Sequence, residues 1–83
     1  MASEAEVLDT IRSIARTELE LEQLVEPGDD LLADLGLDSL GLTILAVGLE
    51  NRFRVRLSQE DAVGLRTVGD LTKLVVRRAE VSA

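Results

Sequence analysis

The stretch Asp34-Leu35-Gly36-Leu37-Asp38-Ser39-Leu40 joins two unlike halves of the chain. An acidic, glycine-containing connection leads into it, and an apolar pattern at helical spacing leaves it. Asp38 is a residue type that caps a helix, because its carboxylate accepts from a free N–H of the first turn. Ser39 then opens the helix. A helix start has unpaired N–H groups and the positive end of the helix dipole, so it suits an anion. A serine hydroxyl at that place is well positioned to carry a phosphate ester. On position alone, an ordinary helix-start serine is the simpler explanation.

Downstream, the spacing predicts helix 2 over 39–53. Leu42, Leu45, Ala46, Leu49 and Phe53 form a core stripe at i, i+3, i+4 intervals. Leu40, Ile44 and Val47 form a second apolar set on a neighbouring face, more than one buried stripe needs. Gly41 and Gly48 share a face, which fits close packing or the close approach of a partner. Ser58-Gln59-Glu60-Asp61 opens a short helix 3 that Gly64 ends. Thr67-Val68-Gly69-Asp70 starts helix 4 over 68–79, with Val68, Leu71, Leu74 and Val75 inward. The tail from Glu80 is expected to fray.

Upstream, Ser3-Glu4-Ala5-Glu6 reads as a capping box. Val7, Leu8, Ile11, Ile14 and Ala15 then recur at helical spacing, giving helix 1 over 4–18. Glu18–Glu22 is read as its fraying end. Residues 20–37 form a long connection with a turn at Pro27-Gly28. Loops of this length are pinned or functional in compact domains. Leu24, Val25, Leu31, Leu32 and Leu35 are its expected pins, Asp29 the expected cap of a short turn, and Gly36 the expected positive-φ residue. The fold class is therefore all-α: a four-helix bundle of three long helices and a short helix 3, forming one domain over 1–83.

Composition narrows the chemistry. The 83 residues include no cysteine and no histidine. That removes a thiol nucleophile, thiolate and imidazole metal ligands, and a Ser-His-Asp hydrolase. The net charge of −7 opposes nucleic-acid binding. Residues 1–38 hold eleven acids against Arg12 and Arg16, whereas residues 39–83 hold five acids and seven bases. A basic partner approaching from the acidic side is one reading; a solvated acidic surface is the other. No signal peptide and no membrane-length apolar run are present, so a cytoplasmic, monomeric protein is expected. Asp29, Asp30, Asp34 and Asp38 lack the alternation of a calcium-binding loop, and no metal site is expected. A nucleophile elbow fails because Leu37 stands two before Ser39.

From Asp34 to Leu40, in this setting and helix order, the sequence resembles the acyl carrier protein family. The likeness extends through Leu49-Glu50-Asn51-Arg52-Phe53 and the Thr67-Val68 start of helix 4. The resemblance implies that Ser39 receives 4′-phosphopantetheine, with Asp38 positioning it for the phosphopantetheinyl transferase and Leu40 contacting that enzyme. It implies a non-catalytic carrier whose arm thiol holds acyl groups as thioesters. It implies as partners an acyl-loading ligase or acyltransferase and a ketosynthase or other pathway enzymes. A peptidyl or aminoacyl carrier shares the serine and the fold, and an unmodified helical interaction domain is a rival of another class. Acyl chains in this family slip between helices 2 and 3, so Leu45, Leu49, Leu57, Ala62 and Val68 are the expected lining. Family members of bacterial fatty-acid synthesis carry acids along helix 2; here Gly41, Ile44 and Arg52 stand at such places and Glu50 remains. Partner docking is therefore expected on Leu40, Ile44, Val47 and Glu50, in a dedicated polyketide, secondary-metabolite or specialised fatty-acid pathway.

Overall fold

The computed structural model describes residues 2–82, with the side chains of Gln59, Ala62, Val81 and Ser82 outside the description. Four helical elements occur: α1 (Glu4–Thr17), α2 (Ser39–Phe53), α3 (Gln59–Val63) and α4 (Val68–Ser82). Side-chain oxygens fix their starts. Ser3 accepts from the Glu6 N–H at 3.1 Å, Ser58 from Asp61 at 3.2 Å, and Thr67 from Asp70 at 3.1 Å. Each fills one of the orphan donors of a first helical turn.

Among the described residues, only α1, α2 and α4 pack on one another. Val7, Ile11 and Ala15 from α1 meet Leu45 and Leu49 from α2 and Val68, Leu71 and Val75 from α4. The all-α class stands, but the expected four-helix bundle is corrected to a frame of three packed helices. The five-residue α3 is a single turn, too short to own an apolar stripe. α4 continues past 79 to Ser82 rather than fraying at Glu80.

Gly48 explains how closely α1 and α2 approach. A methyl group there would come within 2.6 Å of Ile14 Cδ1. Close packing inside the fold therefore accounts for this glycine without a partner. At Gly41 the nearest neighbour is likewise internal, Leu37 Cδ2 at 3.2 Å.

The long connection is pinned to the start of α4. Leu31 N–H donates to Arg66 O, Val68 N–H to Asp29 O, and Gly69 N–H to Pro27 O, at 2.8–2.9 Å. Val25, Leu31, Leu35 and Leu37 are buried, whereas the expected pins Leu24 and Leu32 face solvent. The hydrogen bonds to the α4 start hold the backbone, and only some of the loop leucines then point inward. Asp30, not Asp29, caps the short turn, accepting from Leu32 and Ala33 N–H at 2.9 and 2.8 Å. Asp29 accepts from Glu26 N–H instead. Glu18 to Glu22 leaves the helix through a turn in which Glu20 takes φ 54°, so it is neither helix nor strand.

Asp30, Asp61 and Asp70 all have carboxyls held below the usual carboxylate range. The leading causes are N–H donors, from Ala33 and Leu32 to Asp30, from Ser58 to Asp61, and from Thr67 and Arg66 to Asp70. A folded-state pKa below the unfolded one gives stability that is present above the unfolded value and lost as pH falls through the folded value. Thermal melts should therefore show Tm maintained from pH 7 to about 5 and falling steeply below about 4. A Tm that holds steady from pH 4 to 2 contradicts this. No helix of the described residues is long and apolar enough to cross a membrane.

Candidate functional site

Gly36 turns the chain with φ 67°, a conformation costly for a residue with a side chain. Leu37 then anchors in the core, leaving Asp38, Ser39 and Leu40 as three consecutive exposed residues. Asp38 is extended, at φ −100° and ψ −172°, and its Oδ1 accepts from Gly41 N–H at 2.8 Å. The serine is thus the first residue of α2, with anchors on either side. Its carbonyl accepts from Thr43 Oγ1 at 2.9 Å. Among the described residues, no hydrogen bond engages its hydroxyl. A free, solvent-facing hydroxyl at the positive end of a 15-residue helix fits a phosphodiester, whose charge that end favours.

The four acids of the approach are occupied locally. Asp29 and Asp30 bond the backbone of their own turn, Asp34 Oδ2 accepts from Asp30 N–H, and Asp38 caps α2. Among the described residues, no group of three or more acids stands together as a metal cage.

A cavity of about 500 Å³ opens between α2 and the segment 57–65. Of the expected lining, Leu45 and Leu57 border it. Leu49 and Val68 do not: both are fully buried in the α1–α2–α4 core. The Ala62 side chain lies outside the described residues. Leu42, Ala46, Leu71 and Leu74 also border the cavity and were not expected there. Leu42 and Ala46 sit one turn apart on the edge of the α2 stripe, so spacing revealed their apolar face but not which space it meets. A larger hollow of about 780 Å³, beside Arg12, Arg16 and residues 20–25, touches none of the Ser39 surroundings.

On α2, Leu40 is 66% and Val47 45% exposed, and Val47 also borders the cavity. Ile44 is only half-buried, and so is Glu50. Glu50 Oε2 accepts from Leu57 N–H at 2.8 Å, so the helix's one acid is turned toward the cavity edge. α2 ends at Arg54, in the left-handed region with φ 56°.

Residues 9–75 match the family described as a phosphopantetheine attachment site. The chain belongs to the acyl carrier protein family. It is 41% identical over 76 residues to an acyl carrier protein of Kineococcus radiotolerans, covering 84% of this chain and 88% of the relative. It is 32% identical over 80 residues to a meromycolate extension acyl carrier protein of Mycolicibacterium aurum, covering 96% and 76%. The crystal structure of an acyl carrier protein from Thermotoga maritima superposes with a TM-score of 0.84 over 96% of this chain and 94% of that one. At 24% identity that likeness shows the fold alone. Acyl carrier proteins of this family hold 4′-phosphopantetheine covalently and serve as carriers for pathway enzymes.

Proposed function

We propose that Ser39 is the attachment point of 4′-phosphopantetheine and that the protein carries acyl intermediates in a dedicated cytoplasmic pathway. The observation that carries the reading is the unengaged Ser39 hydroxyl, exposed between the Asp38 cap and Leu40 at the start of α2. Asp38 fixes the backbone of the first turn, so Ser39 is presented to a transferase from a set position at the helix start. The α2 N-terminus favours the charge of the phosphodiester. When bound, the group supplies the thiol that holds the acyl chain as a thioester. The chain contains no cysteine, so this test is clean. Titration with a thiol reagent should read no thiol before incubation with coenzyme A and a broad-specificity phosphopantetheinyl transferase, and one per chain once the chain has been repurified from both. A reading of zero afterwards on folded protein contradicts the proposal.

Leu42, Leu45, Ala46 and Leu57 offer an apolar bed for the acyl chain. Leu49 and Val68 support that bed from the core behind. Partner enzymes dock on the outer face of α2, where Leu40 and Val47 supply apolar contact. Ile44 backs this face from a half-buried position, and Glu50 belongs to the cavity edge more than to the docking surface. A face without exposed acids departs from fatty-acid housekeeping and supports a polyketide, secondary-metabolite or specialised fatty-acid pathway. Meromycolate extension, in the name of one relative, is of the last kind. Partners are then the phosphopantetheinyl transferase, a loading ligase or acyltransferase, and a ketosynthase or other pathway enzymes.

Val47→Asp should lower partner turnover about tenfold while lowering Tm less than Ile44→Glu does, because Val47 is the more exposed of the two. Ile44→Glu should lower both turnover and Tm, because Ile44 is half-buried. Steady-state assays beside thermal melts check the pair. Unchanged turnover in Val47→Asp rules out this docking face.

A further inference from the structure

α3 borders the cavity without belonging to the apolar core. Its Val63 is 88% exposed. Half-buried Leu57 and Leu65 flank it, and Gly64 has open space around it. Polar ties hold it instead. Asp61 Oδ2 accepts from the Ser58 N–H and hydroxyl, both at 2.9 Å, which closes the turn on itself. Asp61 Oδ1 accepts from Arg78 Nη2, on α4. Nη1 of the same guanidinium donates to Arg56 O at 3.0 Å. One α4 side chain thus grips the segment at the approach to α3 and at its centre.

Ion pairs at a surface contribute little when apolar packing already fixes their partners. Among the described residues no such packing stands between α3 and the other helices, and Arg78–Asp61 is the one ion pair between α3 and α4. The Asp61 side chain is mostly shielded and itself borders the cavity. A small contribution then decides whether this turn stays down.

We propose that the Arg78–Asp61 pair latches α3 over the cavity, and that releasing it opens the cavity to an apolar chain while the three-helix frame stays folded. Arg78 is a positioning residue that acts through Asp61. That the occupant is an acyl chain rests on the carrier reading; the latch is tested on the unmodified protein.

The experiment is hydrogen exchange on the full chain and on Arg78→Gln, at low salt and in 1 M NaCl, with uptake of the neutral apolar dye Nile red. In Arg78→Gln, amides 58–65 should exchange about three- to fivefold faster, the upper range for a single ion pair near the surface, with α1 and α2 rates unchanged. Dye uptake should rise with them. High salt, with a screening length of about 3 Å, weakens a contact pair only in part, so it should move the wild type a fraction of the way toward the variant and leave the variant where it is. Wild-type rates at 58–65 in Arg78→Gln overturn the latch. So does a uniform acceleration through α1 and α2, which marks general destabilisation. Failure of Ser39 to accept phosphopantetheine sinks the carrier reading and leaves these rates untouched.

Discussion

Ser39→Ala should leave the chain folded and wholly unable to take up phosphopantetheine. The first half follows from what the hydroxyl does not do. It is exposed and makes no hydrogen bond among the described residues, and Asp38 keeps its bond to Gly41 N–H in the variant. An exposed substitution of this kind shifts stability by about 0.5 kcal/mol or less. The second half is absolute, because alanine has no oxygen to form the ester. Intact-mass measurement beside a thermal melt reads both. A variant that still gains one phosphopantetheine places the attachment on another hydroxyl, with exposed Thr43 and Ser58 the nearest in sequence on the α2–α3 side.

Leu49→Ala should be the most damaging of the single truncations in α2. Leu49 is fully buried where α1, α2 and α4 meet. Removing such a side chain loses its transfer energy and leaves a cavity, costing about 2–5 kcal/mol. A domain of this size has only about 3–5 kcal/mol to lose, so much of the variant should be unfolded at 25 °C. Leu40→Ala, nine positions earlier on the same helix, removes a 66% exposed side chain and should be nearly neutral. Urea unfolding of the two variants makes the comparison. Similar midpoints for both would contradict the assignment of Leu49 to the core and Leu40 to the surface.

That contrast also marks how far the sequence could be read. Helix starts were legible because Ser3, Asp38, Ser58 and Thr67 each announce themselves by a hydroxyl or carboxylate ahead of an apolar run. Gly36 was legible for the same kind of reason: its place before the cap demands a positive φ. Glu20 and Arg54 take the left-handed region without glycine, and nothing in their chemistry signals it. α2 is apolar on nearly every side, so periodicity could not say which leucines meet the core and which meet the cavity. Leu49, expected both in the core stripe and in the cavity lining, lies in the core alone, and Leu42, expected in the stripe, packs against the core and also borders the cavity. In the long connection, backbone bonds to residues 66–69 decide which leucines turn inward, a constraint some 35 positions away in the chain. The docking role expected of Glu50 failed to anticipate its bond to Leu57 N–H, which links the end of α2 to the approach to α3.

The latch and the attachment site meet in one physical picture. The three-helix frame and the Asp38 cap fix the backbone at the α2 start, while the described ties of α3 to α4 run through the Arg78 guanidinium. A carrier needs both properties: a fixed point of attachment, and a cavity whose cover yields without unfolding the rest.

The most direct test is fragmentation mass spectrometry of the wild-type chain after incubation with coenzyme A and a phosphopantetheinyl transferase. One phosphopantetheine per chain is expected, on the peptide that contains Asp38-Ser39-Leu40 and at the serine itself. A gain mapped to any other residue, or no gain on a folded chain, would contradict the assignment to Ser39.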